Sequence, residues 1–273
     1  MSDINCLHSD ANDMLKATSR TFFIPISHLS PKLKEAVTSA YLCMRAIDEI
    51  EDHPELKLKS KSELLISISQ VLRKPFNEDE LMALFYPYKT LLPEVTLRLS
   101  DWIKLCPPTI LENILNATST MAKGMADWVI KEWRFKNEED LDEYTYFVAG
   151  LVGVMLTDIW KWYDGTETDE FLAIAFGRGL QSVNILRNYK EDMNRGVNFF
   201  PDGWELEDMF NYARRNLELG NVYLNDIKSE TILNFCKIPL VLAHGTLESL
   251  IIGKEKMSRA EVVEVVNQIV GKH

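Results

Sequence analysis

Residues 41–52 read YLCMRAIDEIED, an apolar run that ends in a burst of carboxylates. Asp48, Glu51 and Asp52 stand at i, i+3 and i+4, so a helix through this stretch places all three on one face, where they converge. Upstream, Ser30 and Pro31 supply a helix start, and Leu33, Ala36, Val37, Ala40, Met44 and Ile47 recur at helical period. The spacing predicts one long helix with a buried stripe and a polar line of Tyr41, Arg45, Asp48 and Asp52. Like charges on adjacent turns repel by about 0.2–0.5 kcal/mol per pair in water. Two readings accommodate that repulsion. One is a solvated helix end; the other is a divalent cation, since a hard ion such as Mg²⁺ takes carboxylate oxygens and keeps waters and a substrate phosphate in its shell.

Beyond this stretch almost every segment carries helical periodicity, and alternating strands bounded by tight turns are missing, so the expected fold is all-α. Asn137 and Asp140 open a helix through EYTYFVAGLVGVMLTDIWKWY to Gly165. TDEFLAIAFGRGLQSVNILRNYKEDMN forms the next, closed by Gly196, and FFPDGW at 199–204 is a turn. Later helices are expected over about 205–218, 221–235 and 239–252, with a capping-box start at Ser258 and Glu261. EDHPELKLKSKS at 51–62 and RKPFNEDE at 73–80 read as loops. No repeat or dividing linker stands out, so residues 1–273 are expected to form a single domain, a helical bundle with a central cavity.

The 273 residues are 46% hydrophobic and 26% charged, an ordinary soluble composition. A net charge of -11 argues against nucleic acid as a partner, and an anionic substrate would need the acidic groups bridged by metal. Cys6, Cys43, Cys106 and Cys236 are isolated from one another, which fits core or surface thiols in a reducing cytoplasm. The longest apolar run, FVAGLVGVML at 147–156, is too short to span a bilayer. The expectation is a cytoplasmic protein with no integral membrane anchor and at most transient, peripheral membrane contact.

A second constellation lies in LQSVNILRNYKEDMNRG. Asn184, Asn188, Glu191 and Asp192 fall at i, i+4, i+7 and i+8, with Leu180, Val183 and Leu186 on the buried side. If the two polar faces meet across a bundle cavity, they suit metal ions held between helices. Cleavage of an allylic diphosphate wants such a pair: metal neutralises the leaving group, Arg clamps its oxygens, and a dry cavity protects the carbocation. Aromatic faces near these helices would stabilise that cation by about 0.5–2 kcal/mol each. An aromatic residue at helical spacing also serves as ordinary core.

The chain resembles the squalene and phytoene synthase family, head-to-head prenyl transferases of the all-α class I isoprenoid synthase fold. The residues that carry the resemblance are SRTFF at 19–23, YLCMRAIDEIED at 41–52 as a first DxxED motif, YTYFVAGLVG at 144–153, LQSVNILRNYKEDMNRGVNFFP at 180–201, and NFCKIPLVLA at 234–243. The last is nearer the squalene synthases. The resemblance implies Mg²⁺ at Asp48, Glu51 and Asp52 and, on the second segment, at Asn188, Glu191 and Asp192. It implies that Ser19, Arg20, Tyr41, Arg45, Asn184 and Arg187 bind diphosphate or position the prenyl chain, and that Tyr144 helps the first half-reaction. Gly150 and Gly153 are expected to let helices approach closely.

Three departures from the family pattern stand out. Asn188 replaces the first Asp of the second motif and removes a negative charge, which at about 4 Å is worth roughly 1–4 kcal/mol depending on the local dielectric. Val197 stands where relatives often carry Arg, with Arg195 two residues earlier, and Phe147 takes a position that can be Tyr. The activity implied is condensation of two farnesyl diphosphates, through presqualene diphosphate, to squalene or a related C30 product. Use of NADPH stays open, since no GxGxxG is present and the family binds nicotinamide without one. A terpene cyclase or prenyl diphosphatase giving a C15 product is the alternative, and a non-catalytic prenyl-diphosphate-binding protein is a third.

Overall fold

The structure is a computed structural model that describes residues 2–19, 21–254 and 257–271. Every regular element among them is helical. Contacts divide the chain after Glu132 into two compact units.

The first unit holds α1 (Ser2–Thr18), α2 (Phe23–Ser27), α3 (Pro31–Glu51), α4 (Leu58–Leu72), α5 (Glu78–Phe85), α6 (Glu94–Leu97), α7 (Leu99–Leu105) and α8 (Leu111–Ile130). Its organising element is α3, which packs against α1, α6, α7 and α8, while α4 lies along α8. Ser30 occupies the N-cap position and Pro31 the first turn, where the missing N–H costs nothing. The predicted stripe of Leu33, Ala36, Val37, Ala40, Met44 and Ile47 is fully buried. Polar groups inside this core are matched: Ser39 Oγ donates to Trp102 O at 2.7 Å, Thr96 Oγ1 to Ala46 O at 2.9 Å and Trp102 Nε1 to Val95 O at 2.8 Å. These bonds fix α3 to the short helices α6 and α7 and hold its axial position.

The second unit holds α9 (Glu138–Thr145), a π-helical turn (Tyr146–Gly150), α10 (Leu151–Asp164), α11 (Glu170–Asn194), α12 (Leu206–Tyr223), α13 (Glu230–Ile251) and α14 (Arg259–Val270). The expected caps are in place. Asn137 accepts from Asp140 N, Gly165 ends α10 at φ 77°, and Ser258 with Glu261 closes a capping box. The helix expected from Asn137 to Gly165 is interrupted by the π turn, which brings Ala149 against Gly177 of α11. A Cβ on Gly177 would lie 2.2 Å from Ala149 O, and one on Gly153 would lie 2.1 Å from Ala173 O. Backbone therefore touches backbone at two points along α10 and α11, as expected for Gly153.

Four expected boundaries are corrected. The break near residue 220 does not exist: Gly220 sits inside α12, where Phe176 and Leu240 pack against it. The start at 239 is wrong as well, because Pro239 lies inside α13. Its local cost of about 3 kcal/mol is offset by burial of Phe235, Cys236, Ile238 and Leu240 around it. The loop read over 51–62 is shorter, since α4 begins at Leu58 and buries Lys61 and Ser62; the loop over 73–80 likewise yields to α5 at Glu78. Cys43, Cys106 and Cys236 are buried thiols and Cys6 is exposed. Among the described residues no helix is long and apolar enough to cross a membrane.

Gly153→Ala is predicted to destabilise the protein by about 1–3 kcal/mol, because the added methyl meets a backbone carbonyl that cannot rotate away. Urea unfolding measures it, and an unchanged midpoint would refute the backbone contact.

Candidate functional site

The polar line of α3 is built as its spacing predicted. One oxygen from each of Asp48, Glu51 and Asp52 can be chosen so that all lie within 4.8 Å of one another, and no other such group of His, Cys, Asp or Glu occurs among the described residues. Asp48 is half-buried, Glu51 buried, and Asp52 exposed at the helix end, where its N–H donates to Asp48 O at 2.9 Å. Burial pushes the Asp48 carboxyl up to about 7, the nearby Asp52 charge adds to this, and Arg45 pulls the other way. Arg45 is the positive group beside Asp48 on this face.

Arg45 donates from Nη1 to Asp48 Oδ2 at 2.5 Å and from Nη2 to Glu49 Oε1. Glu49 was not singled out in the sequence, although its i+4 position relative to Arg45 signals the pair. Lys61, reaching from α4, donates to the backbone oxygen of Glu51 and ties the acidic end of α3 in place. Tyr41 lies on the same line, its hydroxyl donating to Thr18 O at 3.0 Å and its ring 6.2 Å from that of Phe22. Burial raises its pKa. Ser19 is buried and its Oγ accepts from Phe22 N at 2.9 Å. The SRTFF segment and α3 are thus joined, with Ser19, Tyr41, Arg45 and Asp48 in succession. Arg20 lies outside the described residues.

In the second unit α11 carries Asn184, Arg187, Asn188, Glu191 and Asp192. Arg187 donates from Nη2 to Asn184 Oδ1 at 2.6 Å and from Nε to Asn188 Oδ1 at 3.3 Å; Asn188 Nδ2 donates to Asn184 Oδ1 at 3.3 Å. The three side chains close a ring. Glu191 is exposed, while Asp192 is buried and paired with Arg195. This face holds two carboxylates rather than three, and one of them already has a guanidinium. Val197 contributes only a backbone bond, its N–H donating to Asp192 O at 3.0 Å.

Tyr144 is buried at the end of α9 in an aromatic trio. Its ring stacks on Phe199 at 5.3 Å and meets the edge of Phe135 at 5.4 Å, and Phe135 O accepts from Asp202 N at 3.0 Å. The FFP segment is thereby fastened over Tyr144. Phe147 packs edge-on against Tyr146 at 5.3 Å. Chemically, the first unit offers a converging carboxylate face beside an arginine, and the second offers an amide and guanidinium ring and a tyrosine in apolar surroundings.

Comparison with known proteins adds the relationship. The squalene/phytoene synthase family matches residues 15–207. The squalene synthase of Dictyostelium discoideum is 32% identical over 272 residues, covering 87% of this chain and 62% of its own length. That of Eremothecium gossypii is 30% identical over 285 residues, with 91% and 63% covered. The chain thus spans less than two thirds of the length of these two relatives. Squalene synthase 10 of Panax ginseng is 30% identical, with 93% of this chain and 68% of its own covered. A solved structure of TcSQS with the ligand E5700 matches with a TM-score of 0.78 at 23% identity, over 95% of this chain and 84% of that one. A dehydrosqualene synthase with ligand matches at 0.66 and 17% identity, over 99% and 97%. These two show a shared fold. Because the family match runs from α1 into α12 and takes in both polar faces, the chain belongs to the squalene/phytoene synthase family, nearer its squalene synthases.

Proposed function

We propose that the chain, as one isoprenoid-synthase domain over residues 1–273, is a Mg²⁺-dependent prenyl transferase. It joins two farnesyl diphosphates head-to-head, through presqualene diphosphate, into squalene or a related C30 product. The observation that carries this reading is the convergence of Asp48, Glu51 and Asp52 within 4.8 Å on one helix face. Their crowded oxygens fit a hard divalent cation, and burial together with the neighbouring Asp52 charge raises the Asp48 carboxyl, a shift that a bound cation would oppose. Glu191 and Asp192 are the second set of proposed ligands. When bound, Mg²⁺ supplies charge neutralisation of the diphosphate leaving group.

The remaining work falls to the chain's own side chains. Arg45 must exchange Asp48 or Glu49 for a phosphate oxygen, which two charge-assisted bonds of similar strength permit. Ser19, Arg20, Tyr41, Asn184 and Arg187 bind the diphosphate or hold the prenyl chain. Tyr144, enclosed by Phe135 and Phe199, places a hydroxyl in a site that excludes water during the first half-reaction. Reduction to squalene itself would need a hydride donor, a part that NADPH would supply. The protein works in the cytoplasm and delivers its apolar product by transient membrane contact.

A second reading draws on one observation: the α11 face has lost a carboxylate at Asn188 and has Asp192 paired to Arg195. A site weakened there would ionise one substrate and release a C15 alcohol or hydrocarbon. Incubation with farnesyl diphosphate and Mg²⁺, with and without NADPH, followed by mass analysis of the extract, separates the two. A C30 product is expected, and a C15 product alone would overturn the condensation.

Asp48→Ala should lower Mg²⁺-dependent turnover by at least about 100-fold while the protein stays folded. Undiminished turnover would remove the metal assignment from α3.

A further inference from the structure

Asn188 is expected from the family pattern to ligate metal through its amide oxygen, yet that oxygen is engaged. It accepts from Arg187 Nε, and the amide nitrogen is spent on Asn184. The carbonyl oxygen is the metal-binding atom of an asparagine, so a cation there would sit within hydrogen-bonding distance of a guanidinium and be repelled by it. Resting on the reading of the chain as a prenyl-diphosphate enzyme, we propose that Asn188 is a positioning residue. Its amide holds Arg187 ready for the diphosphate anion and ligates no divalent cation.

The charge balance on α11 supports this. Arg45, Arg98, Arg178, Arg195 and Arg215 each pair with a carboxylate. Arg187 pairs with two neutral amides. Its positive charge is therefore retained while its orientation is fixed, the condition for clamping an incoming anion. Because the side chain is exposed and only two of its N–H groups are engaged, the remaining donors are left for phosphate oxygens. The ring stands on a rigid base, since Ser182, Val183, Ile185 and Leu186 on the same turns are buried. A carboxylate at 188 would neutralise Arg187 and could not donate to Asn184. Asn188 thus trades a cation ligand for an anion clamp.

The test uses the whole 273-residue chain and two probes, inorganic pyrophosphate in EDTA by calorimetry and Mn²⁺ alone by electron paramagnetic resonance. Wild type is expected to bind pyrophosphate without metal. Asn188→Ala should weaken that binding by at least about 10-fold, the low end of the value of one bond to a charged group, with the number and affinity of Mn²⁺ ions unchanged. Asn188→Asp should weaken pyrophosphate further, because its carboxylate takes Arg187. Circular dichroism checks that both variants fold. A Mn²⁺ ion lost in Asn188→Ala with pyrophosphate binding unmoved would overturn the proposal, as would a wild type blind to pyrophosphate. A C15 product alongside the expected binding pattern would overturn the condensation reading and leave this role of Asn188 standing.

Discussion

Three carboxylates crowded on one helix face demand a counter-charge, and the first unit is arranged around that demand. α3 can carry them only because its opposite stripe is anchored: burial of Leu33 through Ile47 and the bonds from Ser39 and Thr96 hold the rod against α6 and α7. The chain supplies part of the balance through Arg45 and through Lys61 at the carbonyl of Glu51. Asp48, raised to about 7 by burial and then by Asp52, gives native stability that is present below the ordinary carboxylate range and is lost as pH rises through about 7.

The second unit solves a different problem with the same economy. Contact of backbone with backbone at Gly153 and Gly177 fixes α11 along its length, so the polar end of that helix is presented from a rigid base. What it presents differs from α3. Asp192 is already paired, and the amides of Asn184 and Asn188 hold Arg187 without neutralising it. One face gathers carboxylates and the other holds a guanidinium between two amides.

Much of this was legible in the sequence because it rests on local periodicity. The i, i+3, i+4 spacing placed Asp48, Glu51 and Asp52 together, and side-chain caps at Asn137 and Ser258 with the left-handed stop at Gly165 marked their helix ends. The misreadings came where tertiary packing overrides local preference. Gly220 and Pro239 look like breaks, yet buried neighbours carry α12 and α13 through them. The charge-rich approach to α4 hid a helix because Lys61 turns inward to Glu51. The partners of the site residues were less visible still. Spacing alone does not reveal that Asp192 turns to Arg195, or that the Asn188 amide faces Arg187.

The central claim is that the converging carboxylates of the α3 face form a site for a divalent cation. Thermal unfolding at pH 8, in EDTA and then in Mg²⁺, compares wild type with Asp48→Asn. The account predicts that the variant melts higher than wild type in EDTA, by about 2–4 °C for each kcal/mol of repulsion relieved, and that Mg²⁺ raises the midpoint of wild type alone. A variant that melts lower in EDTA and still responds to Mg²⁺ would contradict it.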